Sequence, residues 1–446
     1  MMRTATKFFL FVLVLAGVSC SDSVKDTVSY MANVPVYVSR EEFRSAAKVE
    51  PARPLKNPGK ICLYGNFIFI NEVNEGIHVI DNSNPSSPRN ITFIEITGNI
   101  DLAAKDGILY ADNLVDLLLF DISNPAAPKL KSRKEGVFEG VLPATNNDYP
   151  VSKIDTTGKV IVGWTQEQVT EEVTNNQRPC IYCAYDYASA LSSYKAESWG
   201  MNMVQPGTKI TGITGSMSRF AINGEYLYVI YLQNFWYPPQ PSYISYYPPS
   251  QTGVLKVFDI ENEQFAFLNK VNVSTAVETI FAYKKHLFLG MSNGMQILSV
   301  ENPELPVHVS YTWHFWGCDP VVVNDNYAYL TVRSTNVCGR NGNLLQVIDI
   351  SNIAQPREVV SFDMEEPYGL GIDGNTLFVC DRGLKVFDAT NPNVVGNKLL
   401  FRTNDFHGFD LIPFNNLLLV IGNDGLYQYS YENNKLNRLS VIPVSK

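Results

Sequence analysis

The residues best suited to binding are aromatic rings and carboxylates that fall between short β-rich segments. Flat rings bury a large area at low cost in conformational entropy, and carboxylates accept hydrogen bonds. Such a set therefore suits sugar faces, peptides or a partner protein. The candidate ligand- or partner-binding residues are Trp236, Tyr237, Trp313, Trp316, Asp319, Tyr368 and His407. The alternative for each ring is packing between structural units.

Signals for catalysis are weaker. The chain has five histidines, and no two of them have the helical spacing of a metal site. It contains no Gly-x-Ser-x-Gly, P-loop or dinucleotide fingerprint. We therefore expect no metal, no cofactor and no catalytic residue. The alternative is a glycan-active hydrolase or lyase in which carboxylates act with His407. The carboxylates in question are Asp101, Asp319 and Glu366.

The cysteines permit disulfides. Seven are present, and six remain if the first is lipidated, which is an even number that suits an exported protein. Cys318 begins one predicted strand and Cys338 follows the next, so a hairpin between them could form a disulfide. Cys180–Cys183 is a lone CxxC without the further ligands that zinc needs, so a local disulfide or buried thiols are expected. Cys62 and Cys380 fall within predicted strands and are expected in the core.

The N-terminus is typical of an exported protein. Arg3 and Lys7 precede the apolar run Phe8–Val18, which is shorter than the roughly 20 residues that span a bilayer and suits a secretory signal. The run ends in small residues before Cys20, and this resembles a bacterial lipobox, in which the cysteine is lipidated. The alternative is an ordinary signal peptide with an incidental cysteine. We predict a signal peptide at 1–19 and a lipidated tether and lead-in at 20–59.

Composition limits the classes of partner. The net charge is −9, so a surface that binds nucleic acid is not expected. Hydrophobic residues make up 45% of the chain and charged residues 18%, which excludes a disordered protein. No other stretch approaches 18 apolar residues, so we expect contact with the membrane through the lipid anchor alone. The prediction is a monomeric outer-membrane lipoprotein that faces the cell surface or the periplasm.

One repeated pattern predicts the fold. A short β-rich run, a Gly or Asn turn and a second run ending in an apolar-apolar-Asp motif return eight times. The motifs end at Asp81, Asp121, Asp186, Asp259, Ser299, Asp349, Asp388 and Ser430, with spacings of 40, 65, 73, 40, 50, 39 and 42 residues. A period near 40 with four strand-like runs predicts a β-propeller, since each unit is too small to fold alone. We predict eight four-stranded blades over 60–446, with seven as the alternative because 140–210 is the least regular unit.

Two further features of the repeats carry expectations. Asp121–Pro125 and Asn82–Pro85 have oxygen ligands at short spacing, but their recurrence predicts capped turns rather than metal loops. His78 lies in a β-rich run and is predicted to be buried with a hydrogen-bond partner within its blade.

The repeats resemble the LVIVD-repeat family of bacterial β-propeller proteins. The segments that carry the resemblance are Gly76–Pro85, Asp319–Val323, Gly369–Asn375 and Leu384–Asp388, and the likeness extends over about residues 60–446. Ser299 and Ser430 stand where the motif has Asp. The resemblance implies an exported propeller, commonly a lipoprotein, and it implies no activity.

The loops indicate where a ligand would bind. In a propeller the links from strand D to the next strand A share one face with the B–C loops, and loops tolerate insertion on a rigid scaffold. The residues in excess of the period fall into such loops, at 166–179, 234–253 and 334–343. The sequence therefore predicts a non-catalytic cell-envelope module that binds a partner protein or a glycan through this loop-rich face.

The lipobox resemblance gives the first testable prediction. Replacing Cys20 with Ala removes the sulfur that would be acylated, and acyl chains gain about 0.8 kcal/mol per buried CH₂. Cys20→Ala should therefore move the protein from the membrane pellet to the soluble fraction, as measured by immunoblotting of fractionated cells. Cys62→Ala is the matched control and should stay in the pellet, while retention of Cys20→Ala there would contradict the prediction.

Overall fold

Seven antiparallel blades form a β-propeller: six are separate four-stranded sheets, and the four strands of the other belong to a seven-stranded sheet. The computed structural model describes residues 25–146, 148–174, 198–200, 211–235, 250–261, 265–313, 317, 320–334, 342–432 and 435–445. Within each blade the strands A to D pair in chain order, with A innermost. Among the described residues, no helix is long and apolar enough to cross a membrane.

The first part of the chain contains an N-terminal segment and two blades. The segment is formed by β1 (Lys25–Ser39), α1 (Arg40–Ser45) and β2 (Lys48–Pro51). Blade 1 is formed by β3 (Pro58–Tyr64), β4 (Phe67–Glu72), β5 (Gly76–Asp81) and β6 (Arg89–Glu95). Blade 2 is formed by β7 (Leu102–Lys105), β8 (Ile108–Asn113), β9 (Asp116–Asp121) and β10 (Lys129–Lys134). β2 pairs with β6 and so extends blade 1 at its outer edge.

Three strands then interrupt the series of blades: β11 (Lys159–Thr174), β12 (Ser198–Gly200) and β13 (Ile213–Met217). Blade 3 is formed by β14 (Phe220–Asn223), β15 (Tyr226–Phe235), β16 (Ser250–Asp259) and β17 (Ala266–Val273). Blade 4 is formed by β18 (Val277–Tyr283), β19 (His286–Met291), β20 (Gly294–Ser299) and β21 (Val307–Trp313).

The C-terminal part contains the last three blades. Blade 5 is formed by β22 (Val321–Asn324), β23 (Tyr327–Val332), β24 (Leu344–Asp349) and β25 (Arg357–Asp363). Blade 6 is formed by β26 (Pro367–Asp373), β27 (Thr376–Asp381), β28 (Leu384–Asp388) and β29 (Leu399–Thr403), with a 3₁₀ helix at Pro392–Asn397 before β29. Blade 7 is formed by β30 (Gly408–Phe414), β31 (Leu417–Gly422), β32 (Gly425–Glu432) and β33 (Lys435–Pro443).

The prediction of eight blades is wrong, and the alternative of seven is confirmed. The unit predicted at 140–210 forms no blade among the residues that the structure describes there. Instead, β11 pairs with β1 in a two-stranded ribbon. A blade strand such as β9 is buried almost throughout, whereas β11 carries Gln166, Glu167 and Gln168 in succession. Such a strand cannot be buried on both faces without unpaired polar groups. The motif that ends at Asp186 lies outside the described residues.

The turn after strand C is the same in most blades. The side chain that ends the strand accepts a hydrogen bond from the backbone N–H two residues on. The pairs are Asp81–Ser83 at 3.0 Å, Asp121–Ser123 at 2.9 Å, Asp259–Glu261 at 2.8 Å, Ser299–Glu301 at 3.3 Å, Asp349–Ser351 at 2.8 Å and Asp388–Thr390 at 2.9 Å. In blade 1 the Ser83 hydroxyl, the Ser83 backbone N–H and the Arg89 side chain together lower the pKa of Asp81 to about 2. The repeated Asp is therefore a turn cap, as predicted, and Ser299 makes the same bond with its hydroxyl.

Strand β13 runs inside the ring, beside a cavity of about 460 Å³ that the inner strands of several blades also line. It pairs with β3 of blade 1, where Ile213 lies opposite Leu63. Just before β13, the N–H of Gly212 donates to the carbonyl of Ala104 in blade 2 at 2.6 Å. The chain thus passes through the space enclosed by the inner strands, from the face of the A–B turns to the face of the D–A links. We call the latter the top face.

The far end of β13 is tied to blades 6 and 7. The N–H of Ser216 donates to the buried Asp410 carboxylate at 3.1 Å, and its hydroxyl accepts from the N–H of Leu370 at 3.0 Å. Side chains are excluded where the packing is tightest. A Cβ on Gly212 would lie 2.8 Å from the sulfur of Cys62, and one on Gly215 would overlap the Asp410 carboxylate. Glycine at 212 and 215 is therefore what allows a strand inside the ring.

The ring closes without exchange of strands between its first and last blades, since blade 7 contains C-terminal strands only. Contacts across the seam hold it closed. The Gln428 amide donates to Asn82 at 2.8 Å, and the N–H of Ser445 donates to the carbonyl of Leu55 at 2.7 Å. Closure therefore depends on packing and a few hydrogen bonds between blades 7 and 1.

The central strand gives a prediction about stability. Gly215→Ala places a methyl group against Asp410 in a packed interior, and overpacking of this kind typically costs about 1–3 kcal/mol. Gly163→Ala is the matched control, because a Cβ there would have no atom within 4 Å and should change stability by less than about 0.5 kcal/mol. Urea unfolding followed by circular dichroism measures both. Equal stability of the two variants would contradict the tight packing of β13.

Candidate functional site

A pocket of about 150 Å³ opens on the top face. It lies among the upper ends of blades 1 to 4, and its walls include the apolar side chains Leu114, Phe138, Leu142, Phe220 and Ile230. Polar groups from the ends of inner strands form its floor. We call this cavity the top-face pocket.

The floor contains a buried ion pair. The Lys60 ammonium contacts the Asp101 carboxylate at 2.6 Å, and both side chains are almost completely buried. Asp101 also accepts from the N–H of Arg219 at 2.6 Å, from that of Leu102 at 2.8 Å and from the hydroxyl of Ser218 at 3.2 Å. Burial lowers the pKa of Lys60 to about 8. Because both oxygens of Asp101 are engaged, its role is to join blades 1 and 2 to the end of the central strand.

Asp112 has a different environment. Its Oδ1 accepts from the Asn99 amide at 2.7 Å, from the N–H of Ile100 at 2.7 Å and from that of Asp101 at 2.8 Å. No donor among the described residues reaches Oδ2. Burial raises the pKa of Asp112 to about 7, and the charge of Asp101 adds to this effect against the backbone hydrogen bonds. Asp112 is therefore the carboxyl group of the pocket that is poised to titrate near neutral pH.

The mouth of the pocket is built from the base of the loop at 234–253. Gln251 donates to Asn234 at 3.0 Å, and Asn234 donates to the carbonyl of Gly140 at 2.8 Å. Tyr231 lies on the same wall and is 4% exposed. Burial raises the pKa of its hydroxyl, and a hydrogen bond with the backbone of Glu139 opposes this shift. The described ends of the predicted binding loop thus border the pocket.

The other candidate residues lie on separate blades. Trp313 ends β21 on blade 4, is 70% exposed and stacks on Tyr311 at 5.6 Å. Tyr368 lies in β26 beneath the guanidinium of Arg333 at 4.1 Å. His407 is exposed and precedes β30. Trp236, Tyr237, Trp316, Asp319, Cys20, Cys318 and Cys338 lie outside the described residues.

In blades 1 and 6, the acidic residue at the end of strand B accepts hydrogen bonds from the chain segment that leads into the blade. Glu72 accepts a hydrogen bond from the N–H of Lys56 at 3.1 Å and pairs with His78 at 2.8 Å. Lys56 lies in the lead-in to blade 1, and the other two residues lie in blade 1. Asp381 accepts from the N–H of Glu365 at 3.1 Å and from Lys385 at 2.7 Å. His78 is thus buried and partnered, as predicted. These carboxylates hold the incoming chain in place.

The remaining candidates for catalysis are not brought together. Asp101 precedes the inner strand of blade 2, whereas Glu366 precedes that of blade 6 and accepts from the hydroxyl of Tyr368 at 3.2 Å. Among the described residues, no group of three His, Cys, Asp or Glu side chains could hold a metal ion. Cys62 and Cys380 are buried within β3 and β27, as the sequence predicted.

Sequence reasoning selected Asp101 but missed Asp112. Asp101 stands before a predicted inner strand, a position that attracts attention in a propeller. Asp112 lies in β8, the second strand of blade 2, and a single acidic residue within a strand is usually expected to face solvent. One signal could have indicated a partly buried acid. Asp112 directly follows Tyr110 and Ala111 in a strand in which most residues are buried.

The fold and the top-face pocket define the class: the protein is a seven-bladed β-propeller with a candidate ligand pocket among the links between its blades. Residues 58–92, 101–134 and 318–364 match the LVIVD repeat. The chain is thus a β-propeller that carries LVIVD repeats, in agreement with the resemblance seen in its sequence. The matched segments correspond to blades 1, 2 and 5.

Solved structures with a similar fold have low sequence identity. The periplasmic gluconolactonase PpgL of Pseudomonas aeruginosa is 12% identical, with a TM-score of 0.49 over 89% of this chain and 98% of that one. A functionally unknown protein from Desulfotomaculum acetoxidans is 9% identical, with a TM-score of 0.48 over 85% and 95%. Saccharomyces cerevisiae Sqt1 is 11% identical, with a TM-score of 0.42 over 93% and 100%. No curated protein matches the chain. Such distant likenesses are compatible with unrelated functions.

The environment of Asp112 gives a prediction about pH. Its folded pKa of about 7 exceeds the ordinary value of 3.8, so the folded state binds this proton more tightly than the unfolded chain does. The contribution of this proton to the free energy of unfolding is fully present below about pH 4 and is lost as the pH rises from about 4 to 7. Asp112→Asn keeps the Oδ1 acceptor and carries no charge. Relative to the wild type, it should gain on the order of 2 kcal/mol between pH 4 and pH 7.

Urea unfolding at pH 4, 5, 6 and 7 measures this difference. Asp325→Asn is the control, because Asp325 is exposed on the opposite face and its variant should follow the wild type at every pH. A constant difference between Asp112→Asn and the wild type would show that the Asp112 carboxyl is not perturbed.

Proposed function

We propose that the protein is a non-catalytic binding module of the cell envelope, which takes a partner protein or a glycan on its top face. The observation that carries this proposal is the top-face pocket at the base of the loop 234–253. Apolar walls with a few polar groups at the floor and mouth are the usual lining of a binding site. The rigid blades beneath would hold such a site in a fixed geometry.

Binding is favoured over catalysis by the state of the carboxylates. A glycosidase needs two carboxyl groups about 5–9 Å apart, one of which must be available as a base or nucleophile. Both oxygens of Asp101 already accept hydrogen bonds from Lys60, Ser218 and the backbone. Glu366 belongs to a blade on another part of the ring. Asp101 and Glu366 thus support structure more readily than acid–base chemistry.

The proposal includes lipidation of Cys20 and attachment to the outer membrane, on the cell-surface or periplasmic side. Lys25, where β1 begins, is five positions after Cys20, and an extended chain covers about 3.5 Å per residue. In this arrangement the start of the β1–β11 ribbon lies within about 17 Å of the anchoring lipid. The segment Lys25–Pro51, which the sequence places in the tether and lead-in, forms β1, α1 and β2.

The N-terminal segment is fastened to the propeller next to the pocket. The guanidinium of Arg44 in α1 contacts the buried Asp116 of blade 2 at 3.0 Å, and Arg133 contacts the same carboxylate at 3.1 Å. Phe43 packs with Leu114 and Val160. Leu114 also lines the top-face pocket. The anchored segment and the proposed binding surface are therefore mechanically connected.

Removal of the loop tests the proposed function. β15 and β16 pair up to Phe235 and Ser250, so residues 236–249 can be replaced by Asn-Gly, which closes two-residue hairpins. This variant should keep the thermal midpoint of the wild type and bind cell-envelope material at least tenfold more weakly. Co-sedimentation with purified peptidoglycan and with outer-membrane vesicles provides the measurement.

The control for this test is Lys284→Gln, an exposed substitution on the opposite face that should bind like the wild type. Undiminished binding by the loop-replacement variant would sink the proposal. Loss of binding by Lys284→Gln as well would mean that the opposite face is the binding surface.

A further inference from the structure

At the floor of the top-face pocket, the carboxyl group of Asp112 has only one of its two oxygens hydrogen-bonded by described residues. The Asn99 amide and two backbone N–H groups all donate to Oδ1 of Asp112, and no described residue donates to Oδ2. Asp112 lines the pocket, so a donor to Oδ2 comes from the contents of the cavity, which are water or a ligand that presents an N–H or O–H group.

The charges around Asp112 favour a cationic donor. The titratable groups that face it are Asp101, Lys60, Arg219 and Glu278. Lys60 is paired with Asp101 inside the protein, and Arg219 and Glu278 also have partners within the protein. With Asp112 ionised, the described residues around the pocket contribute three carboxylates and two cations, which is an excess of one negative charge. An ammonium group would balance it at short range and low dielectric.

The walls determine the rest of the ligand. Phe138, Leu142, Phe220 and Ile230 enclose a volume of about 150 Å³, which suits a compact apolar or ring-shaped body of about seven to ten heavy atoms.

We propose that the top-face pocket binds a small organic ammonium ion, with its charged nitrogen donating to Oδ2 of Asp112 and its apolar body against Phe138 and Ile230. This inference rests on the proposed function and names the chemical class of ligand that the top face takes. In a glycan or a partner protein, the same group would be an amino sugar or an exposed lysine side chain.

Three probes of equal size separate charge from shape: cyclohexylamine, cyclohexanol and cyclohexanecarboxylate. Titration calorimetry and saturation-transfer NMR on the full chain measure their binding at pH 8 and pH 6. Cyclohexylamine should bind at least tenfold more tightly than cyclohexanol at pH 8, and the carboxylate should not bind. Because Asp112 becomes protonated as the pH falls through about 7, cyclohexylamine should bind roughly tenfold more weakly at pH 6.

Asp112→Asn should abolish both the preference for the amine and its pH dependence, while Asp325→Asn should change neither. Equal affinities for cyclohexylamine and cyclohexanol would overturn the proposal in favour of a neutral hydroxyl ligand, and a pocket that takes none of the probes would overturn it in favour of water alone. The comparison of probes on the wild type stands even if Asp112→Asn is unstable.

Co-sedimentation with envelope material separates this inference from the proposed function. If the wild type binds envelope material and the loop-replacement variant does not, while no probe enters the pocket, the inference fails and the proposed function stands. If neither envelope material nor any probe binds, both fail together.

Discussion

The fold depends on a strand that runs through the middle of its own ring. Inner strands of a propeller leave little room at the axis, and β13 occupies that room because Gly212 and Gly215 carry no side chains. Two buried carboxylates hold the strand at its upper end. Asp410 binds the N–H of Ser216, and Asp101 binds the hydroxyl of Ser218 directly after β13. Blades 7 and 2, which blade 1 separates, are therefore also joined through the centre of the ring.

The candidate site arises where the series of blades is interrupted. Blade 2 ends at Lys134 and blade 3 begins at Phe220, and the residues between them supply the ribbon, the central strand and part of the pocket wall. Regular blades bury their polar groups in repeated turns and links, so they leave few side chains for a ligand. The interruption brings Asp101, Asp112 and Arg219 together at one corner of the top face. Irregularity in a repeat protein is thus where binding chemistry can be placed without cost to the scaffold.

The class of fold could be read from the sequence because its signals are local. The period near 40, the Asp cap after strand C and the buried His78 depend on residues that are close in the chain. The prediction of an eighth blade was wrong because an apolar-apolar-Asp motif is a local pattern that does not show which strands pair with each other. β11 pairs with residues about 140 positions earlier, as in Ser29 with Thr170, and no short-range signal shows that. Asp112 was missed for the same reason, since its raised pKa comes mainly from burial in the folded protein, which no local pattern records.

The central strand also constrains the order in which the molecule can be assembled. The hydrogen bond from the N–H of Ser216 needs Asp410, which is 194 residues later in the chain. At the seam, the hydrogen bond between Gln428 and Asn82 joins residues that are 346 positions apart. Contacts between such distant parts of a chain close slowly, because the entropy of a large loop is lost before the contacts form. Until blade 7 docks, the axis strand lacks its last wall and the ring is open on one side. A C-terminally truncated chain would therefore retain an incomplete ring around an unsupported strand.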